Sequence, residues 1–93
     1  MEKKVRAHVI ISGRVQGVFF RMNTARAANR FSVFGWVKNT RDGNVEAVFE
    51  GDKDNVNAIL AWCHTGDPPA IVADVDIELE AYTGEYNSFE ITY

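Results

Sequence analysis

The order in which strand-like and helix-like hydrophobic patterns follow one another constrains the fold of this chain more than any other feature of its sequence. Apolar and polar residues alternate with a period of two at 5–11, as they do in a half-buried β-strand. A helical spacing then predicts a helix from about 21 to 30. Two β-branched or aromatic runs follow at 34–39 and 44–50, and the Asp42-Gly43 turn between them predicts a hairpin. The predicted order of elements in the first half of the chain is therefore strand, helix, strand, strand.

A second helix is expected to begin near Asp52 or Asp54, either of which can cap it, and to end before Gly66 and the Pro68-Pro69 pair. Its apolar residues recur at helical spacing, and they are Val56, Ile59, Leu60 and Cys63. Because Cys63 lies on this apolar stripe, we interpret it as a core residue and not as a nucleophile.

The last part of the chain returns to the strand period. Val75, Ile77 and Leu79 alternate with acidic residues, as in an edge strand with one solvent-facing side, and a short final strand is expected near 89–93. The order βαββαβ predicts an α+β, ferredoxin-like fold, in which an antiparallel sheet carries two helices on one face. This topology serves metal carriers, RNA binders, sensors and enzymes, so function must be argued from residues.

Size and composition predict one small domain spanning residues 1–93. The chain is 46% hydrophobic and 25% charged, which is ordinary for a globular protein. Its one cysteine allows no internal disulfide and favours a reducing compartment. The first residues are too polar for a signal peptide, and no run approaches the length needed to cross a membrane. We therefore expect a cytoplasmic protein with no membrane partner.

Charge is distributed unevenly along the chain. Residues 1–41 hold nine of the ten Lys and Arg with one acid, a net charge of +8, whereas residues 42–93 have a net charge of −11. An acidic protein that concentrates its arginines in one segment resembles a binder of a small anion more than a general nucleic-acid binder.

The segment 13–21, Gly-Arg-Val-Gln-Gly-Val-Phe-Phe-Arg, is the candidate anion site. Gly13 and Gly17 allow positive φ angles that turn successive N–H groups into one concavity, and a helix begins just beyond them. Arg21 supplies a planar fork of donors that fits two oxygens of a phosphate or carboxylate. The pattern matches neither the dinucleotide-binding nor the ATP-binding glycine motif. On the evidence of the glycines alone, an ordinary strand-to-helix turn is an alternative interpretation.

The sequence lacks the residues that other functions of this fold would require. One cysteine cannot form the C-x-x-C pair of a soft-metal carrier, and the predicted first and third strands lack the paired aromatics of an RNA-recognition domain. His8 and His64 have no nucleophile that spacing would assign to them, so we interpret both as structural or solvated. The alternate carboxylates of 74–80 indicate a solvated strand face and not a metal or glycosidase site. No metal and no cofactor are expected.

One more candidate, Asn39, ends the predicted strand Gly35-Trp36-Val37-Lys38-Asn39. With this strand and the loop together, the chain resembles the acylphosphatase family over nearly its whole length. The first signature, G-x-V-x-G-V-x-F-R with R-x-x-T, matches Gly13, Val15, Gln16, Gly17, Val18, Phe20, Arg21 and Thr24. The second signature, G-W-V-x-N then D-G-x-V-E, matches Gly35, Trp36, Val37, Asn39, Asp42, Gly43, Val45 and Glu46. A later stretch resembles the family at Gly66, Pro68, Ala70 and Val72, and Ser32 departs from it, because glycine often stands there.

The resemblance implies hydrolysis of carboxyl phosphate anhydrides, with inorganic phosphate as product and competing ligand. It implies that Arg21 and the backbone N–H groups of the loop hold the phosphoryl oxygens, while Asn39 orients the attacking water. Gly13 and Thr24 are expected to support the loop. The predicted phosphate-binding loop consists of Val15, Gln16, Gly17, Val18, Phe19 and Phe20. A non-catalytic anion-binding or regulatory module with the same fold is the alternative.

Overall fold

The computed structural model describes residues 3–93. In this part of the chain the elements are β1 (Lys4–Arg14), α1 (Phe20–Arg30), β2 (Phe34–Asn39), β3 (Val45–Asp52), α2 (Lys53–Cys63), β4 (Ile71–Glu80) and β5 (Phe89–Ile91). None of the helices in this range is long and apolar enough to cross a membrane.

The strands form one sheet in the order β4-β1-β3-β2-β5. β1 pairs antiparallel with both β3 and β4, and β2 pairs antiparallel with β3. Each helix therefore connects two strands that run the same way with a third strand between them, which confirms the ferredoxin-like α+β prediction. The sheet as a whole is mixed, because the short β5 pairs parallel with β2.

The core lies between the helices and one face of the sheet. Ala7, Val9 and Ile11 of β1 are fully buried there, as the period of two predicts. Cys63 is also fully buried in this core, and burial raises the pKa of its thiol to about 12. The interpretation of Cys63 as a core residue is confirmed.

Several element ends differ from the predicted ones for local reasons. β1 continues beyond Ile11 to Arg14, because the register against β4 shifts by one residue between Ser12 and Gly13 and pairing then resumes. α1 begins one residue early and ends at Arg30, and Ser32, two residues beyond its end, is left-handed with a φ of 56°. Asp52 stands at the N-cap of α2, but its side chain makes no capping hydrogen bond.

The helix-free face of the sheet carries a network of charges. Arg6 on β1 contacts the carboxylates of Glu50, Glu80 and Glu85, at 2.9–3.2 Å. Glu50 is 1% exposed and accepts hydrogen bonds from the backbone and hydroxyl of Thr83. Burial alone would raise the pKa of Glu50, but the bonds from Thr83 and Arg6 outweigh burial and lower it. The network fixes the segment after β4 against the sheet.

Candidate functional site

Three strands end at one edge of the sheet and form the rim of a pocket. β1 and β2 run the same way, because each is antiparallel to β3, and β5 runs parallel to β2. Their carboxyl ends therefore meet, and a cavity of about 290 Å³ opens between them. It is lined by Val15, Gly17, Phe19, Phe20, Arg21, Met22, Asn39, Ile91 and Tyr93.

The loop that joins β1 to α1 forms one wall of this pocket. Gly17 has a φ of 71° and Phe19 a φ of 63°, so two residues of the turn take the left-handed conformation. Val15 and Val18 are buried and anchor the loop to the core, whereas the side chain of Phe19 is 68% exposed. A bulky residue in this conformation stores strain, and such residues occur often where a ligand binds.

The amino end of α1 opens into the same pocket without a neutralising group. Phe19 occupies the N-cap position and makes no side-chain capping hydrogen bond, and no acidic residue lies in the first turn. The first N–H groups of the helix and the positive end of its dipole are then available to an anion.

Arg21 lies in the first turn of α1 and is held by the residues that follow β5. Its Nη1 donates a hydrogen bond to the Thr92 carbonyl at 3.2 Å, and its guanidinium carbon lies 4.8 Å from the centre of the Tyr93 ring. These contacts orient the planar fork of donors while part of it still faces the pocket.

Asn39 is the last residue of β2 and lines the same pocket as Arg21. Its Oδ1 is buried and has no hydrogen-bond partner among the described residues. A buried carbonyl oxygen without a partner is costly, so in native proteins such an atom calls for an explanation such as a bound water or ligand. The amide thus has an acceptor without a described partner in the same pocket as the Arg21 guanidinium.

The structure places the remaining predicted residues around the pocket and not in its lining. The Gln16 side chain turns away and bonds backbone carbonyls of the β2–β3 turn. The buried Thr24 hydroxyl donates to the Phe20 carbonyl at 2.8 Å. Gly13 lies in the irregular β1–β4 pairing, where its Cα approaches the backbone of β4.

Sequence reasoning missed three lining residues. Met22, Ile91 and Tyr93 contribute to the pocket, and two of them belong to the final segment. The period of two predicted a short last strand, but nothing in the sequence signalled that it pairs parallel with β2 and so reaches Arg21. The imidazole of His8 lies elsewhere, 2.6 Å from the Glu46 carboxylate on the helix-free face.

Comparisons with known proteins match this chain to acylphosphatases over nearly its whole length. The family model described as acylphosphatase matches residues 7–91. An acylphosphatase of Syntrophus aciditrophicus (strain SB) is 53% identical over 88 residues, which are 95% of this chain and 92% of that protein. The solved acylphosphatase structure from Coxiella burnetii has a TM-score of 0.91 and 36% identity, covering 96% of this chain and 93% of that one.

The acylphosphatase structure from Bacillus subtilis gives a TM-score of 0.92 with 31% identity, over 96% of this chain and 99% of that one. The sequence matches and the structural matches thus indicate the same family. The chain belongs to the acylphosphatase family.

Proposed function

We propose that the chain hydrolyses acyl phosphates to a carboxylate and inorganic phosphate, and that the pocket between the 15–20 loop, Arg21 and Asn39 is its active site. The observation that carries the site assignment is the buried Asn39 Oδ1, which has no partner within residues 3–93. An amide that lines the same pocket as Arg21, beside the uncapped amino end of α1, is suited to hold a water molecule next to a bound phosphoryl group.

The phosphoryl group is proposed to bind the loop and Arg21. N–H groups at the amino end of α1 and in the loop would donate to its oxygens, and the guanidinium of Arg21 would donate to two oxygens at once. These donors stabilise the negative charge that spreads over the phosphoryl oxygens in the transition state. Thr92 and Tyr93 hold the guanidinium in place, so little reorganisation is needed during the reaction.

Asn39 is proposed to orient the nucleophile. A water molecule that donates one hydrogen bond to Oδ1 would present its oxygen to phosphorus, in line with the breaking P–O bond. An amide cannot take the proton near neutral pH, so the proton passes to an oxygen of the substrate's own phosphate. The leaving group is a carboxylate, which is stable without protonation, so no general acid is required.

A non-catalytic anion-binding module is the second candidate. It would use the loop and Arg21 in the same way but would gain nothing from a water-positioning amide. The enzyme and the module therefore differ in what Asn39 does.

The experiment compares Asn39→Ala with Arg21→Ala. Asn39→Ala should lower kcat on the order of 10²-fold or more, as loss of a positioned catalytic hydrogen bond does, while its affinity for inorganic phosphate stays near that of the wild type. Arg21→Ala should lose both activity and phosphate affinity. Circular dichroism checks folding, and a well-folded Asn39→Ala protein with wild-type turnover would contradict the water-positioning role.

Substrate choice tests the reaction class. The protein should release phosphate from a simple acyl phosphate and act poorly on a phosphate monoester, because the described pocket lining holds no histidine or carboxylic acid side chain that could protonate an alkoxide. Inorganic phosphate should compete with substrate, and a chelator should leave the rate unchanged. Equal turnover of both substrates, or a rate that a divalent ion restores after chelation, would point to a different mechanism.

We also propose that the protein works in the cytoplasm on small acyl phosphates, without nucleic acid as a partner. Its single, buried cysteine suits a reducing compartment, and its net charge of −3 disfavours a polyanion. Fractionation of the source cells, followed by assay of acyl phosphate hydrolysis, tests the location.

A further inference from the structure

The side chain of Gln16 joins the phosphate-binding loop to the turn that follows Asn39. Its Nε2 donates hydrogen bonds to the Thr40 carbonyl at 2.8 Å and to the Asn44 carbonyl at 2.7 Å. Both bonds are partly buried and cross more than twenty positions of sequence. A single amide nitrogen thus connects the end of β2, the start of β3 and the loop after β1.

This link crosses a gap that the sheet does not close directly. β1 and β2 are not neighbours, since β3 lies between them, so no ladder hydrogen bond fixes the end of β1 against the end of β2. The loop that precedes Arg21 and the strand end that carries Asn39 are attached to those two strands. Gln16 spans the gap at the pocket itself.

The chemistry of the link requires two N–H donors on one atom. The Asn44 carbonyl already accepts the Thr40 N–H at 2.9 Å, and the Thr40 carbonyl lies 3.4 Å from the Gly43 nitrogen. Each oxygen therefore has one lone pair left for Gln16. A primary amide fills both, whereas a carboxylate of the same shape would bring negative charge against two carbonyl oxygens.

We propose that Gln16 is a positioning residue that sets the distance between the bound phosphoryl group and the water held by Asn39. The inference rests on the proposed function, since it assigns Gln16 an effect that passes through Asn39. Misplacing a reacting atom by about 1 Å can cost about 10²-fold in rate, so a link of this kind has a measurable effect on turnover.

The first experiment separates positioning from phosphate binding. Gln16→Ala and Gln16→Glu should lower kcat by about 10-fold to 10²-fold, while inhibition by inorganic phosphate stays within about twofold of the wild type. Gln16→Lys, whose ammonium can donate to both carbonyls, should recover much of the rate. Asn57→Ala, which removes an exposed amide on α2, is the matched control and should leave kcat unchanged.

A double-mutant cycle then tests the route of the effect. If Gln16 acts through Asn39, adding Gln16→Ala to Asn39→Ala should lower kcat little further, so that the two losses are strongly non-additive. Full additivity, or an equal loss of kcat and phosphate affinity in Gln16→Ala, would overturn the positioning role. Absence of acyl phosphate hydrolysis by the wild-type protein would instead overturn the proposed function, so the two failures are distinguishable.

Discussion

At the residue scale, the pocket combines a planar cation with an amide, and neither is a proton donor or a base near neutral pH. We therefore expect the shape of the cation, a planar guanidinium or a compact ammonium, to matter more for activity than its charge. Arg21 is held on one side by the Thr92 carbonyl and the Tyr93 ring. A lysine at this position would keep the charge but lose the planar fork that we propose holds two phosphoryl oxygens.

We expect Arg21→Lys to lose nearly as much kcat/KM as Arg21→Ala. Steady-state kinetics on an acyl phosphate measure both, and Arg26→Lys, an exposed arginine further along α1, is the control that should keep wild-type activity. Near-normal turnover by Arg21→Lys would mean that charge alone suffices.

Ser32 illustrates a residue whose backbone conformation does not suit its type. It follows α1 with a φ of 56°, and the Val33 N–H closes the helix by bonding to the Ala28 carbonyl at 2.8 Å. This is the left-handed position that glycine usually fills at a helix end. The helix end thus keeps the geometry of a glycine cap although the residue is serine.

Ser32→Gly should raise the free energy of unfolding by about 0.5–1 kcal/mol, because relief of the left-handed strain exceeds the added flexibility of the unfolded chain. Urea denaturation measures the change. Ser32→Ala keeps the Cβ and should give no gain, and an equal gain in both variants would assign the effect to the hydroxyl.

At the element scale, the close approach of β1 to β4 depends on Gly13. A Cβ at this position would lie 2.3 Å from the Ile71 carbonyl oxygen and 2.6 Å from the Ala73 nitrogen. Both are backbone atoms, so a side chain there would force the two strands apart.

Gly13→Ala is expected to destabilise the protein by about 3 kcal/mol, since steric overlap adds to backbone strain. Gly43→Ala is the matched control, because Gly43 also has a positive φ but a Cβ added there would have no described atom within 4 Å. Its cost should be about 1 kcal/mol from strain alone. Equal losses in chemical denaturation would show that the contact with β4 contributes nothing.

The elements were largely predictable from sequence, and their meeting points were not. The bounds of β2 agree with the predicted 34–39, because aromatic and β-branched residues and a strong turn define them locally. The Arg21 bond to Thr92 spans 71 positions, and the Gln16 bonds span 24 and 28. Hydrophobic periodicity and secondary-structure propensity act over a few neighbouring residues, so they carry no information about pairs this far apart in sequence.

At the scale of the whole molecule, the charge network on the helix-free face ties three strands to the segment after β4. Hydrogen bonds from Thr83 and Arg6 to the buried Glu50 lower its pKa in the folded state. A carboxyl whose pKa is lowered by folding stabilises the protein when it is ionised.

The stability that Glu50 contributes should be complete above the ordinary glutamate range and should be lost as pH falls through its lowered pKa. Thermal unfolding measured across the acidic range should show a shallower pH dependence for Glu50→Gln than for the wild type. Asp74→Asn, an exposed carboxyl on β4, is the control. Parallel curves for Glu50→Gln and the wild type would contradict the linkage.

The strand order has a consequence for the protein during its synthesis. β1 is made before the other elements, but Lys4 pairs with Asp52 and Arg6 with Glu80, so it must wait for β3 and β4 before it has both neighbours. Thr92, which orients Arg21, leaves the ribosome later still, after all seven elements of the described fold. The pocket of a nascent chain therefore becomes complete only once the segment beyond β5 has emerged.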